Sequence, residues 1–246
     1  VTNAGCQVDQ THTIAVLPGD YVAVQAVSGA TTQAIPISSQ ITFVPTSGTN
    51  TIVGGSFAAA TVTTTKTFSA PLTQKTSTTE ASAQTALPVA LTCSNLYVTK
   101  ATANSAVTTT YTIRDNGVDT AITGTDTGTG MSSATVNSGG TGYVVGDTVT
   151  VGTGTGGTIK ITAVSGGVVT AFYILTSGTG YAVASATTSG GTGTGLTVNV
   201  ATIGTGAIGI YAGSGVAISA GHKLDLSFVT ASGTSGTQSG WAMSCN

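Results

Sequence analysis

The chain has 246 residues, with six Lys and Arg against eight Asp and Glu, so 6% is charged and the net charge is −2. Lys66, Lys75, Lys100, Arg114, Lys160 and Lys223 are scattered, which excludes a basic stripe of the kind that tracks a nucleic-acid backbone. No apolar run reaches the ~18–20 residues of a membrane-crossing helix, so neither nucleic acid nor membrane is expected as a partner.

The length allows one large or two to three small domains. An ordinary soluble domain carries about a quarter charged residues, and here Gly, Thr, Ser, Ala and Val take their place. Disorder combines low hydrophobicity with high net charge, and a chain that is 40% hydrophobic does not fit it. Thr and Val suit a half-buried pleated surface, and Gly suits turns. The expectation is an all-β protein. Few charges weaken solubility, so a subunit packed among neighbours is expected rather than a lone monomer. No secretory signal reads at the start of the sequence.

From the beginning, "HTIAVLPGDYVAVQAVSGA" (12–30) reads as strand, tight turn and strand, and "SSQITFVP" (38–45) as a further strand. The same order returns near the end in "SGVAISAGHKLDLSFVTAS" (214–232) and "GWAMSCN" (240–246), where Leu224, Leu226 and Phe228 alternate. Residues 1–50 therefore read as the closing half of a first sandwich. Residues 55–127 plus 205–246 read as a second, discontinuous one. "TEASAQTA" (79–86) reads as either a short helical turn or an extended segment.

"VTTTYTIRDNGVDTAIT" (107–123) gives the clearest element. Val107, Thr109, Tyr111 and Ile113 share one face of a strand, Asn116-Gly117 suits a type I′ turn, and Val118, Thr120 and Ile122 resume the alternation, so a β-hairpin is expected.

Residues 131–204 carry a duplication. "SGGTGYVVGDTVTVGTGTGGTIKITAV" (138–164) and "TSGTGYAVASATTSGGTGTGLTVNVATI" (176–203) each read as a Gly-Tyr corner, a strand, a glycine turn and an alternating strand. One such unit cannot bury its own apolar face, so the two are expected to form one small β domain. Tyr143 and Tyr181 are expected to cover the open ends of their units. The domain falls within a loop of the second sandwich, and its flanks "GTDTGTG" (124–130) and "GTGAIG" (204–209) read as flexible joints.

The three cysteines, Cys6, Cys93 and Cys245, form no CxxC or Cys/His cluster, so no zinc site is expected. Cys93 and Cys245 are candidates for a disulfide if their strands are neighbours, and two buried thiols are the alternative. "GTGTGG" (152–157) matches the dinucleotide pattern GxGxxG, but "TIKITAV" after it reads as a strand where that fold needs a helix. "GGTGYVVGD" has the look of a calcium-binding nonapeptide, yet Val144 stands where such a repeat has Asp. Asp147 reads as a turn residue. Asp115, Asp119 and Asp126 read as turn and hairpin-end carboxylates in solvent rather than a cation site. His12 and His222 read as corner residues, and Glu80 is the only glutamate. No catalytic residue, cofactor or metal is expected, and the chain reads as a non-enzyme. Trp241 reads as core, with stacking on sugar as the alternative.

Residues 79–123 with 208–232 carry a resemblance. Cys93 to Val98 ("CSNLYV"), Tyr111 to Ala121 ("YTIRDNGVDTA") and Val216 to Lys223 ("VAISAGHK") resemble phrases of the jelly-roll-like antiparallel β-sandwich modules of tailed-bacteriophage virion proteins. His222 stands where those corners have Asp. The GTGY region is similar to small β-modules of phage tail and capsid-surface proteins. The resemblance implies a virion structural protein: a capsid decoration (cement) protein or head fibre on the capsid surface. It would assemble with itself, as a homotrimer, and with the major capsid protein or other virion proteins. The alternative is a tail fibre or surface adhesin that binds host glycan through exposed aromatic rings.

Overall fold

In the computed structural model the described residues are 51–71, 75–104 and 107–246. The expectation for residues 1–50, with His12 and Cys6, lies outside them. The described chain is all-β. Seventeen strands and one 3₁₀ turn, Glu80–Ser82, are present, and every strand pairing is antiparallel. "TEASAQTA" thus holds both of its expected forms, the tight turn at Glu80–Ser82 and an extended end at Thr85–Ala86.

Two sheets make a sandwich. Its strands are β1 (Thr51–Ala60), β2 (Thr67–Ser69), β3 (Thr76–Ser77), β4 (Thr85–Ala86), β5 (Leu91–Lys100), β6 (Thr109–Asp115) and β7 (Val118–Asp126). After the insertion come β14 (Gly206–Tyr211), β15 (Val216–Ile218), β16 (Lys223–Thr230) and β17 (Gln238–Cys245). The first sheet runs β1-β17-β5-β14, with β15 also on β5. The second runs β3-β2-β16-β6-β7, with β4 also on β16.

Period-two alternation supplies the core. Leu224, Leu226 and Phe228 of β16, with Tyr111 and Ile113 of β6, meet Cys93, Leu96 and Val98 of β5 and Trp241 and Met243 of β17. The step from Cys93 to Leu96 breaks the alternation because Asn95 takes φ +55°, where the pairing of β5 with β17 also slips. A bulge of this kind keeps both halves of a strand facing inward. The hairpin turn has φ +50° at Asn116 and +82° at Gly117, the signs a type I′ turn requires.

Between β7 and β14 stand β8 (Met131–Thr141), β9 (Thr148–Val151), β10 (Thr158–Ser165), β11 (Val168–Thr176), β12 (Ser185–Ser189) and β13 (Thr194–Ile203). They form one sheet in the order β11-β10-β9-β12-β13-β8, around a core of their own that includes Val149, Ile159, Ile161, Leu196 and Val198. The sheet curls until its outer strands meet. Met131 N donates to Ser177 O (2.9 Å) and Tyr143 N to Gly167 O (3.0 Å).

The duplication has a two-fold logic. Each unit is strand, GTGY corner, strand, strand: β8-β9-β10 and β11-β12-β13. The units join through β9 and β12 at the centre of the sheet, and each unit's first strand pairs with the other unit's last, β8 on β13 and β11 on β10. The tyrosines cross over in the same way. Tyr181 lies on the glycine turn of the first unit, where Cβ atoms on Gly154 and Gly157 would overlap its ring, and Tyr143 lies on Gly193 of the second. Both rings are buried. The expectation that each covers its own unit is corrected in this respect: each caps its twin.

The flanks of the insertion are not flexible joints. Gly204 N donates to Gly130 O (2.9 Å), and Ser177 and Gly209 exchange two bonds, Ser177 N to Gly209 O (3.0 Å) and Gly209 N to Ser177 Oγ (2.9 Å). Tyr97 of β5 reaches across to Ile174 O (2.8 Å) and Leu175 O (3.1 Å). Sandwich and insertion belong to one compact unit. The glycines serve close backbone approach here rather than freedom. Gly204 has φ +70°, and a Cβ would stand 2.2 Å from Gly128 O. Gly204→Ala is therefore expected to destabilise the protein by about 1–3 kcal/mol, read as a lower thermal midpoint. An unchanged midpoint would show that the neck has slack.

Candidate functional site

Two groups of interacting charged side chains stand out in the described chain, on the outer face of the second sheet and at the neck below the insertion. On the outer face, β16 turns Asp225 away from the core, opposite Arg114 of β6. The segment from β3 to β4 crosses this face as a strap and buries Ala83. Arg114 Nε donates to Glu80 Oε1 at 2.6 Å, and its other nitrogens bond Asp119 and Gly117 O. Its guanidinium also lies 5.8 Å from the Phe68 ring centre. The hydrogen bond to Glu80 holds the Arg114 pKa above its usual range. Gln84 Nε2 donates to Asp225 Oδ2 (3.1 Å) and lies 3.4 Å from Glu80 Oε1.

Asp225 has no exposed surface, and its Oδ1 meets no donor among the described residues. Burial, with Glu80's charge adding to it, pushes its pKa up to about 7 against the pull of Gln84 and Arg114. The folded protein thus holds a proton that the unfolded chain releases near pH 4. Stability falls as pH rises from about 4 to about 7, by up to about 1.4 kcal/mol per unit. Asp225→Asn is expected to flatten this slope and to exceed the wild type in urea resistance at pH 8. Parallel pH profiles for the two proteins would refute the assignment.

Beside the strap, Glu80, Ala81, Gln84, Asn116, Gly117 and Lys223 line an open depression of about 340 Å³. At its edge His222 Nδ1 lies 2.8 Å from Asp115 Oδ1, and Asn116 Oδ1 accepts from Lys223 N (2.8 Å). Glu80 and Asp225 are the only carboxylates that Gln84 brings together. Glycoside hydrolysis needs two carboxyls flanking the substrate bond, but Asp225 is shut from solvent and Glu80 is held by Arg114.

At the neck, Lys100 Nζ contacts Asp126 Oδ2, with both side chains fully enclosed, so the expectation of a solvent-facing carboxylate is corrected for Asp126, whose charge is held by a buried amine. Nζ also donates to Asn104 Oδ1 (2.7 Å), and Gly128 N donates to Asp126 Oδ1 (2.8 Å). Burial and the Asp126 charge raise the Tyr111 pKa.

The structure distributes the remaining candidates. Cys93 and Cys245 form a disulfide. Asn116 and Gly117 make the hairpin turn. Asp147, at the insertion's tip, accepts from Thr192 Oγ1 (2.7 Å), Thr192 N (3.1 Å) and Val144 N (3.1 Å), and these bonds, the Thr192 hydroxyl first, lower its pKa. Asp115, Asp119 and Asp126 take separate partners, His222, Arg114 and Lys100, and no metal-binding group of three or more His, Cys, Asp or Glu exists among the described residues. The strand β10 follows "GTGTGG", so no helix end faces that turn. Trp241 is buried, with Nε1 donating to Ser69 Oγ (3.1 Å).

Compared with family models, curated proteins and solved structures, the chain matches none.

Proposed function

We propose that the chain is a structural protein of a tailed-phage virion, a decoration protein or head fibre on the capsid surface that assembles as a homotrimer. One observation carries this reading. Every acidic side chain among the described residues is engaged with a partner inside the fold: Glu80 and Asp119 with Arg114, Asp115 with His222, Asp126 with Lys100, Asp147 with Thr192 and Asp225 with Gln84. What is offered outward is chiefly hydroxyl, glycine and small apolar surface, including Val144, Val145 and Val183 on the insertion. Such a surface suits contact with neighbouring subunits and supplies no free pair of carboxylates for acid–base work. The resemblance at Cys93–Val98, Tyr111–Ala121 and Val216–Lys223 supports the same reading.

The geometry adds two ends. Thr51 stands opposite Cys245 at the end of the sandwich that holds Leu91 and Cys93, whereas the insertion leaves beside Lys100 and Asp126 at the other. An anchoring sandwich and a projecting insertion fit this layout. The glycan-binding alternative needs an exposed aromatic platform. Among the described residues Trp241 and all the tyrosines are buried or half-buried, which favours the structural reading.

Quantitative mass spectrometry of gradient-purified, DNA-filled particles tests it. A copy number comparable with the major capsid protein is expected. Absence from the particles would overturn the proposal, and a few copies per particle would move the protein to the tail. Light scattering on the isolated protein is expected to read three times the chain mass of 23.8 kDa.

A further inference from the structure

The neck holds more than an ion pair. Lys100, Asn104 and Asp126 are 2%, 7% and 1% exposed, and their hydrogen bonds fix how the Asn104 amide faces. Its Oδ1 receives Lys100 Nζ at 2.7 Å and Gly236 N at 3.0 Å. Its Nδ2 donates to Thr109 Oγ1 (3.2 Å), Asp126 O (3.0 Å) and Asp126 Oδ2 (3.2 Å). The same Oδ2 contacts Lys100 Nζ. One carboxylate oxygen therefore touches both an amine and the nitrogen of a primary amide. The carbonyl oxygen of that amide lies against a backbone N–H.

These are the parts of an acyl transfer: a nucleophile, an electrophile, a proton carrier between the attacking and leaving nitrogens, and a donor at the developing oxyanion. We propose that Lys100 and Asn104 become joined by an isopeptide bond that the folded chain forms by itself, with Asp126 carrying the proton. Asp126 takes a proton from the Lys100 ammonium. The freed lone pair on Nζ attacks Asn104 Cγ, and the carbonyl pair moves onto Oδ1, where Gly236 N–H stabilises it. As the carbonyl re-forms, the Cγ–Nδ2 bond breaks, Asp126 returns its proton to Nδ2, and the departing ammonia takes one of the two protons still on the attacking nitrogen, so that ammonium leaves and the new amide keeps one N–H. The sum is a lysine ammonium and a primary amide giving a secondary amide and an ammonium ion. No oxidant, metal or cofactor enters.

Enclosure favours the step. Fixed neighbours replace the entropy cost of a bimolecular encounter, and exclusion of water strengthens the electrostatic help from Gly236 and Asp126. An ion pair alone would need only Lys100 and Asp126. The Asn104 amide joins that pair, with its nitrogen facing the carboxylate and its oxygen facing the amine. The bond would clamp the turn from 101 to 104, where Ala101 N already donates to Thr237 O (2.9 Å).

The test is the mass of the purified full-length chain after denaturation and reduction. The expected result is a mass below that of the sequence by one ammonia. Trypsin is expected to leave the bond after Lys100 uncut, so that Thr76–Arg114 appears as one peptide whose fragment ions join Lys100 to Asn104. Asp126→Asn is expected to abolish the loss, and the wild-type measurement decides alone if that variant does not fold. An unmodified mass with cleavage at Lys100 overturns the proposal. So does an ammonia loss with Lys100 still cleaved, which marks a succinimide at Asn104. Loss of water with Asp126 in the cross-link also overturns it.

Discussion

Replacing Cys93 and Cys245 together by serine is expected to lower the stability of the sandwich by about 5 kcal/mol. The two residues are 152 apart in sequence, and cross-linking a loop of about 100 residues is worth about 4.7 kcal/mol on the chain-entropy account, rising with the logarithm of length. The loop enclosed here contains the whole insertion. Cys93 and Cys245 are direct partners on β5 and β17, their Cα atoms lie 4.0 Å apart, and the next pair, Thr92 and Asn246, exchange both backbone bonds (2.8 and 3.0 Å). That alternation places the cysteines at the close, non-hydrogen-bonded position of an antiparallel pair. Both are buried, so serine would also bring unpaired hydroxyls into the core. Urea unfolding of the double variant, and of the wild type with and without reductant, measures the effect. Equal midpoints in all three would show that the bond contributes nothing. A large effect would tie the protein's persistence to an oxidising environment.

Tyr181→Ala is expected to cost about 3–5 kcal/mol, the range for deleting a large buried ring. Tyr181→Phe is expected to cost about 1–3 kcal/mol, because the hydroxyl donates to Val151 O (2.7 Å) and accepts from Gly157 N (3.1 Å), both buried in the other unit. The location of the damage is the sharper observable. The ring belongs to the second unit but lies on the glycine turn of the first. Hydrogen exchange should therefore quicken at residues 149–158 as well as around position 181. Protection lost only between 177 and 189 would mean that the ring serves its own unit and that the crossed arrangement is energetically idle.

Much of the architecture could be read from the residues. Alternation in "KLDLSFVT" and "TTYTIRD" identified inward faces, Asn116-Gly117 marked a hairpin, and the repeated GTGY phrase marked a doubled domain. What escaped has physical reasons. The exchange of first strands between the units is a choice of partner, and two equal units offer equally good partners at home and across the axis. Flank glycines carry the same letters whether they loosen a linker or let two backbones touch, and only the opposing chain decides.

The neck was more legible than it was made to be. Leu96, Val98 and Lys100 share one face of β5, as Ile122, Gly124 and Asp126 share one face of β7. An inward lysine at the end of one strand and an inward aspartate at the end of another ask for each other. Asp225 gave no such signal. It sits out of phase with Leu224 and Leu226, on what reads as a solvent face, and the strap that covers it is distant in sequence. The pairing of Cys93 with Cys245 likewise depended on a strand neighbourhood that spacing alone does not supply.

The crossed strands of the insertion leave neither unit complete by itself. A single unit has a first strand with no place in its own half of the sheet and a tyrosine with no turn of its own to cover. It becomes complete only by meeting an identical unit about a two-fold axis. The insertion is thus organised as a symmetric pair of units within one chain, each supplying the edge strand that the other lacks. The two ends of that pair are chemically unlike all the same, with Val144 against Ala182 and Asp147 against Ser185, so a symmetric frame presents two different surfaces.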